Sequence, residues 1–140
     1  MNVATSVLPS ILLLQASLRE MPQLELPTTH HFADGMYARV VARPAGALIV
    51  GRVHKKEHFY IVAAGRVAVT DGEEQAVEYP CGTVLVSKPG TKRAVLALED
   101  SVCLTVHRTD KTTPEEIEAE VVETEENALF DARNQLRIAQ

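Results

Sequence analysis

Cysteine is scarce in this chain. Cys81 and Cys103 are its only two, too few and too irregularly spaced for a disulfide framework or a zinc ribbon. Each reads as a small buried apolar residue rather than a reactive thiol, which fits a reducing compartment. Positive charge is also in deficit. The formal net charge is -5, which argues against general nucleic-acid binding by bulk attraction. Long hydrophobic runs are missing too. The run from Val7 to Leu14 stops at Gln15 and has no basic segment before it. It is too short for a membrane span and lacks the flank of a signal peptide, so a cytoplasmic protein with no membrane partner is expected. There is no internal repeat, no low-complexity tract and no phosphate-binding glycine loop. No Ser/His/Asp arrangement stands out, and Ser87 and Ser101 lack the strand-to-helix context of a nucleophile elbow.

What is present fits one domain. The 140 residues, 46% hydrophobic and 24% charged, suffice for a real core but not for two full ones. The acids are unevenly spread. Seven of them, from Glu115 to Glu126, crowd one C-terminal segment and leave the rest of the chain at about +2. That segment reads as a solvated helical face with Ile117, Val121 and Val122 turned inward.

The periodicity changes twice along the chain. Residues 1–30 form an extension in which Ile11, Leu14, Leu18 and Met21 fall at helical spacing between Pro9 and Pro22. Such a helix packs on its own domain or on a neighbouring subunit. Residues 31–110 carry short β-rich runs: Tyr37–Val41, Ala47–Val53, Phe59–Ala63, Arg66–Thr70, Gln75–Tyr79, Thr83–Ser87, Arg93–Leu98 and Val102–His107. Turn signals separate them, Asp71-Gly72 being the best hairpin signal. Eight short strands without intervening helices predict an antiparallel sandwich or barrel. Residues 111–140 switch to a helical pattern. Thr113-Pro114-Glu115-Glu116 is a capping sequence, predicting a helix from Pro114 to about Glu126 and a second helical stretch from Asn127 to Ile138.

Two of the five histidines lie four apart in Arg52-Val53-His54-Lys55-Lys56-Glu57-His58. If this stretch is extended, Arg52, His54, Lys56 and His58 share one face. Two neutral imidazoles suit a divalent transition metal, but two ligands alone do not hold one well. His107 or a neighbouring subunit could complete the set, although His107, at the end of the last run, also suits a loop cap. Tyr60 shares the same face and could donate a proton, stack on a base or fill the barrel. Arg52 and Arg93 could bind a ligand or form salt bridges to Glu57 or Glu99. His30-His31 lie before the first run, where a turn or subunit contact is expected.

The run into Ala64-Gly65, the Pro80-Cys81-Gly82 turn and Pro89-Gly90-Thr91-Lys92-Arg93 resemble the two-motif signature of cupins. The order of His30-His31-Phe32-Ala33-Asp34-Gly35-Met36-Tyr37-Ala38-Arg39, Pro44-Ala45-Gly46, His54-Lys55-Lys56-Glu57-His58, Pro89–Arg93 and Val106-His107-Arg108-Thr109 resembles small cupin-like proteins encoded by tailed phages. This resemblance covers about residues 30–126. It implies an all-β fold: a cupin-type antiparallel jelly-roll barrel with a short N-terminal helical extension and a C-terminal helix. It also implies that Arg52 and Arg93 stand where metal-rich relatives carry histidines, leaving His54 and His58 as metal positions. A guanidinium cannot ligate a metal at neutral pH. Arg52, His54, Lys56, His58, Tyr60, Lys92 and Arg93 would then suit a small anionic molecule bearing phosphate or a nucleotide.

Three classes of function follow: a binding module for an anion or a divalent metal without clear catalytic machinery, an assembly component of a phage particle, or a metal-dependent cupin enzyme. A homo-oligomer, dimer or trimer, is expected in each, since barrels leave edges to be covered. A phage origin would imply the host cytoplasm, or the virion with its structural proteins as partners.

Overall fold

The computed structural model describes residues 9–72 and 75–137. The beginning of the Val7–Leu14 run and the expected burial of Ile138 lie outside the described residues. Nine strands follow a first helix: α1 (Pro9–Arg19), β1 (Thr28–Ala33), β2 (Met36–Arg43), β3 (Leu48–Val50), β4 (His58–Ala64), β5 (Arg66–Thr70), β6 (Val77–Pro80), β7 (Val84–Ser87), β8 (Ala94–Ala97), β9 (Ser101–Arg108), and then α2 (Pro114–Val121). They pair antiparallel into a five-stranded sheet, β1-β2-β9-β4-β7, and a four-stranded sheet, β3-β8-β5-β6. The result is an all-β jelly roll with two short helices.

Alternation explains the core. On β4, His58, Tyr60 and Val62 are buried and face in, while Phe59 faces out. Across the interior, Tyr60, Val62 and Cys103 of one sheet meet Val67, Val69 and Val95 of the other, with Tyr79 and Leu85 packed alongside. Helix α1 lies on the outside of the smaller sheet. Its Ile11 packs with Ala94, beside Leu14, Leu48, Val50 and Val53. The N-terminal helix thus covers its own domain. Helix α2 closes one end of the barrel, burying Ile117, Val121 and Val122 against Tyr37. Thr113 caps it by accepting from the Glu116 amide, as its sequence foretold.

Four expectations are corrected. His30-His31, expected before the first strand in a turn or subunit contact, lie within strand β1 (Thr28–Ala33), in register with β2 through Phe32↔Tyr37 and His30↔Arg39. The composition of β1 is too polar for the alternation rule to detect. Helix α2 stops at Val121 because Val122 turns extended and bonds sideways. The second helical stretch does not form. Asn127 and Asn134 adopt φ of 60° and 62°, which a helix cannot contain, and Phe130 bridges back to Leu136. Finally, Cys81 is exposed while Cys103 is buried.

Candidate metal centre

The expected shared face of Arg52, His54, Lys56 and His58 is only half formed. The chain bends at Lys55 and Lys56, which turns Lys56 outward, 51% exposed at its side chain, and brings the two histidines together instead. Their ring centroids lie 4.2 Å apart. His107 of β9 completes the group. It is buried, 4.3 Å from His58 and 5.3 Å from His54 between ring centroids. The three imidazoles each offer a nitrogen, all within 4.8 Å of one another. His107 is thus an interior residue rather than a loop cap. The register explains why: Tyr37↔His107 and Phe59↔Val106 set His107 between Tyr37 and His58 on the inner face.

The chemistry of these rings fits a metal. The His58 Nδ1 lies 3.0 Å from the Lys56 carbonyl, and the Arg52 backbone faces the His54 ring and favours its protonated form. The Lys56 contact fixes the His58 ring and frees its other nitrogen. Both ring nitrogens of His107 are buried without a hydrogen-bond partner, a costly state that a metal bond would relieve. Burial, followed by the neighbouring His58 and His107 charges, pushes His54 down to about 3. Burial, then His58 and Arg39, does the same to His107. Burial also lowers His58. All three are therefore neutral with free lone pairs at pH 7. Three imidazoles favour zinc, copper, nickel or iron over magnesium or calcium, and leave positions open for water or a ligand oxygen.

The cations expected to form an anion pocket are spread over different surroundings. Arg52 donates to the Glu123 carbonyl at 2.6 Å and pairs with Glu125 at 3.3 Å and Glu118 at 3.6 Å. Lys92, only 5% exposed, also reaches Glu125, at 3.3 Å. Lys56 pairs with Glu120 at 2.9 Å. The acidic segment is therefore more than a solvated face; its carboxylates match cations of the barrel. Glu57, with Glu99 a candidate salt-bridge partner for Arg52 or Arg93, pairs with Lys88 instead. Arg93 enters the barrel and donates to Ser87, which sits opposite His58. Tyr60 lies inside, one row from the histidines. His30 does not stand in a turn: its Nδ1 is 2.6 Å from the Tyr37 hydroxyl, and burial raises that phenol to about 12.

Sequence reasoning passed over Arg39 and Arg43. They alternate with Val41 along β2 and point inward with Tyr37 and Val41, which strict attention to β2 alternation could have found. Burial holds Arg39 below its ordinary value.

Solved structures share this fold. A cupin superfamily protein from Desulfitobacterium hafniense superposes with a TM-score of 0.53 at 15% identity, covering 68% of this chain and 87% of its own. A protein with a double-stranded β-helix domain from Klebsiella pneumoniae gives 0.55 at 15%, over 81% and 86%. KdgF from Halomonas sp. gives 0.54 at 17%, over 65% and 86%. At these identities the likeness establishes the cupin-type barrel and nothing finer. It supports the cupin-like part of the resemblance and says nothing of a phage. No family model matches the sequence, and no curated protein matches it. Among the described residues no helix is long and apolar enough to cross a membrane.

Proposed function

We propose that this chain is a metal-binding cupin-fold module in which His54, His58 and His107 hold one divalent transition metal beneath α2. The observation that carries the reading is the convergence of three imidazoles, one of them with both nitrogens lacking a hydrogen-bond partner among the described residues. A bound ion would supply Lewis acidity and open positions for a small oxygen ligand. The test is metal content by mass spectrometry on untagged protein prepared without chelator, followed by titration with zinc, nickel and cobalt. About one ion per chain is expected, falling to background in His107→Ala. Retention by that variant, or no uptake of any of the three metals, overturns the reading.

A second reading, self-assembly, rests on a separate observation. The outward side chains of the larger sheet form the rows Ala38–Val106–Phe59–Val86 and Val40–Leu104–Ile61–Val84, with Ala42 and Val102 beyond. None is charged. Phe59, Val84 and Val86 are 48%, 55% and 48% exposed. One face of an antiparallel sheet normally meets water with polar residues. Here ten outward residues over four strands give roughly 330 Å² of apolar face in projection, about two-fifths of what one partner contributes to a stable interface. While α1 covers the other sheet, this face has no cover among the described residues. A second copy packed by a two-fold axis fits best, because an uncharged flat face is complementary to itself. Light scattering should give a dimer mass for the wild type and a monomer for Phe59→Glu/Val86→Glu. A monomeric wild type removes this reading.

A further inference from the structure

Among the described residues, the barrel interior holds a cation, Arg43, that meets no counter-charge. Six buried side-chain atoms lack a hydrogen-bond partner among the described residues, and five of them are inside the barrel: Nε and Nη1 of Arg43, the Tyr60 hydroxyl and both nitrogens of His107. Arg43 is 8% exposed. Its guanidinium sits 5.9 Å from the centre of the Tyr60 ring and forms no ion pair among the described residues. Arg39 lies in the same row as Tyr60, through Thr105, and the nearby Glu118 is engaged by Arg52. Arg93 approaches from the opposite sheet and donates to Ser87. A buried, unpaired guanidinium is costly. Here three arginines and a tyrosine occupy inward positions beyond the histidines.

We propose that the barrel interior binds a small, multiply charged oxyanion, with Arg43 and Arg39 as its charge partners, Tyr60 donating a hydrogen bond and Arg93 at its flank. The shared chemistry is a carboxylate or phosphate group carrying more than one negative charge. This deepens the function proposed above by naming a ligand class for the same pocket, yet the arginine contacts do not require the ion. The site differs from the sequence-level expectation in its members. Arg52, Lys56 and Lys92 already have carboxylate partners, so the anion goes to the arginines that lack them.

The experiment is calorimetric titration of the full chain, metal-free and zinc-loaded, with malonate and with inorganic phosphate, chloride serving as control. Saturable binding of at least one probe is expected in the metal-free protein; which of the two binds tighter separates a carboxylate from a phosphate ligand. Arg43→Met should weaken binding at least tenfold and raise the melting temperature of the ligand-free protein by about 3–6 °C, because an unpaired buried charge is replaced by a packed apolar chain. A structural arginine would do the reverse. Tyr60→Phe, which removes one hydroxyl and keeps the ring, should weaken binding without unfolding the barrel. His107→Ala should lose zinc but keep anion binding in the metal-free state, so failure of the metal reading and failure of this one are distinguishable. No binding of either probe, or unchanged affinity in both Arg43→Met and Tyr60→Phe, overturns the proposal.

Discussion

His54 and Val122 form an isolated antiparallel bridge, which ties the loop carrying one candidate metal ligand to the end of α2. The bridge is continued by Lys55 N to Val121 O at 2.7 Å and Glu123 N to Val53 O at 2.9 Å. The C-terminal segment therefore acts as a strap that sets the position of His54.

Truncation after Asp110 should accordingly disable the site. It removes the bridge, the Arg52 partners and the buried Ile117, Val121 and Val122. Loss of Ile117 alone, tested as Ile117→Ala, should cost about 2–4 kcal/mol, since the side chain is almost wholly buried. The truncated chain should melt much lower and bind zinc at least tenfold more weakly. Zinc titration followed by differential scanning calorimetry checks both. Unchanged zinc affinity after truncation would show that His54 is positioned without the strap.

Acid should destabilise the metal-free protein before its carboxylates titrate. His54 and His107 are held down to about 3 in the folded chain, against about 6.5 when unfolded. Below about pH 6.5 the unfolded chain takes up protons that the folded one refuses, so stability falls as pH falls. The loss continues down to about pH 3. Above pH 6.5 both states are neutral and these two groups contribute no slope. Melting curves of the metal-free wild type and of His54→Gln/His107→Gln, taken from pH 8 to pH 4, should diverge below pH 6.5, with the wild type falling more steeply. Parallel curves would mean that the two imidazoles titrate normally.

The barrel was legible in the sequence because its strands alternate. Arg66–Thr70 matches β5 residue for residue, and the β4 alternation of His58, Tyr60 and Val62 gives the inward face directly. The metal trio was legible only in part. His54 and His58 are neighbours in sequence, but His107 joins them through the pairing of β9 with β4 and β2, a relation that local periodicity does not carry. The facing of Lys56 was misread because a bend interrupts the strand on which the alternation rule depends. The asymmetry of charge was visible in the sequence, yet which acid meets which cation follows from where α2 docks. Glu125 meeting Arg52 and Lys92 could not be read from composition.

Two glycines of positive φ should separate steric from conformational cost. At Gly46, φ is 89° and an added Cβ would meet nothing within 4 Å. Gly46→Ala should therefore cost only the conformational penalty, about 1–2 kcal/mol. At Gly65, φ is 77° and the Cβ would lie 2.3 Å from Ser101 Oγ and 2.4 Å from the Asp100 carbonyl. A backbone carbonyl cannot rotate away as a flexible side chain can. Gly65→Ala should cost about 3–5 kcal/mol, the penalty plus overpacking. Urea unfolding of both variants checks the difference; equal losses would mean that the β4–β5 turn shifts freely.

Glu125 is the residue on which three separate parts of the chain converge. It accepts from Arg19 of α1 at 2.8 Å, pairs with Arg52 at 3.3 Å and with Lys92 at 3.3 Å, and also receives Gln15. Its side chain is 18% exposed and that of Lys92 5%, so the Lys92 pair is little screened while the Arg19 pair, 32% exposed at the arginine, is screened more. Glu125→Gln keeps the shape and removes the charge. It should cost about 1–3 kcal/mol, most of it from leaving the Lys92 ammonium buried without a counter-charge. If so, Lys92→Met on the Glu125→Gln background should recover much of the loss, whereas Arg19→Ala on that background should recover none. Double-mutant cycles by urea unfolding measure both couplings, the Lys92 coupling being expected to exceed the Arg19 coupling. Equal couplings would mean that Lys92 reaches solvent in the folded chain, and that α1 is held to the strap as firmly as the barrel is.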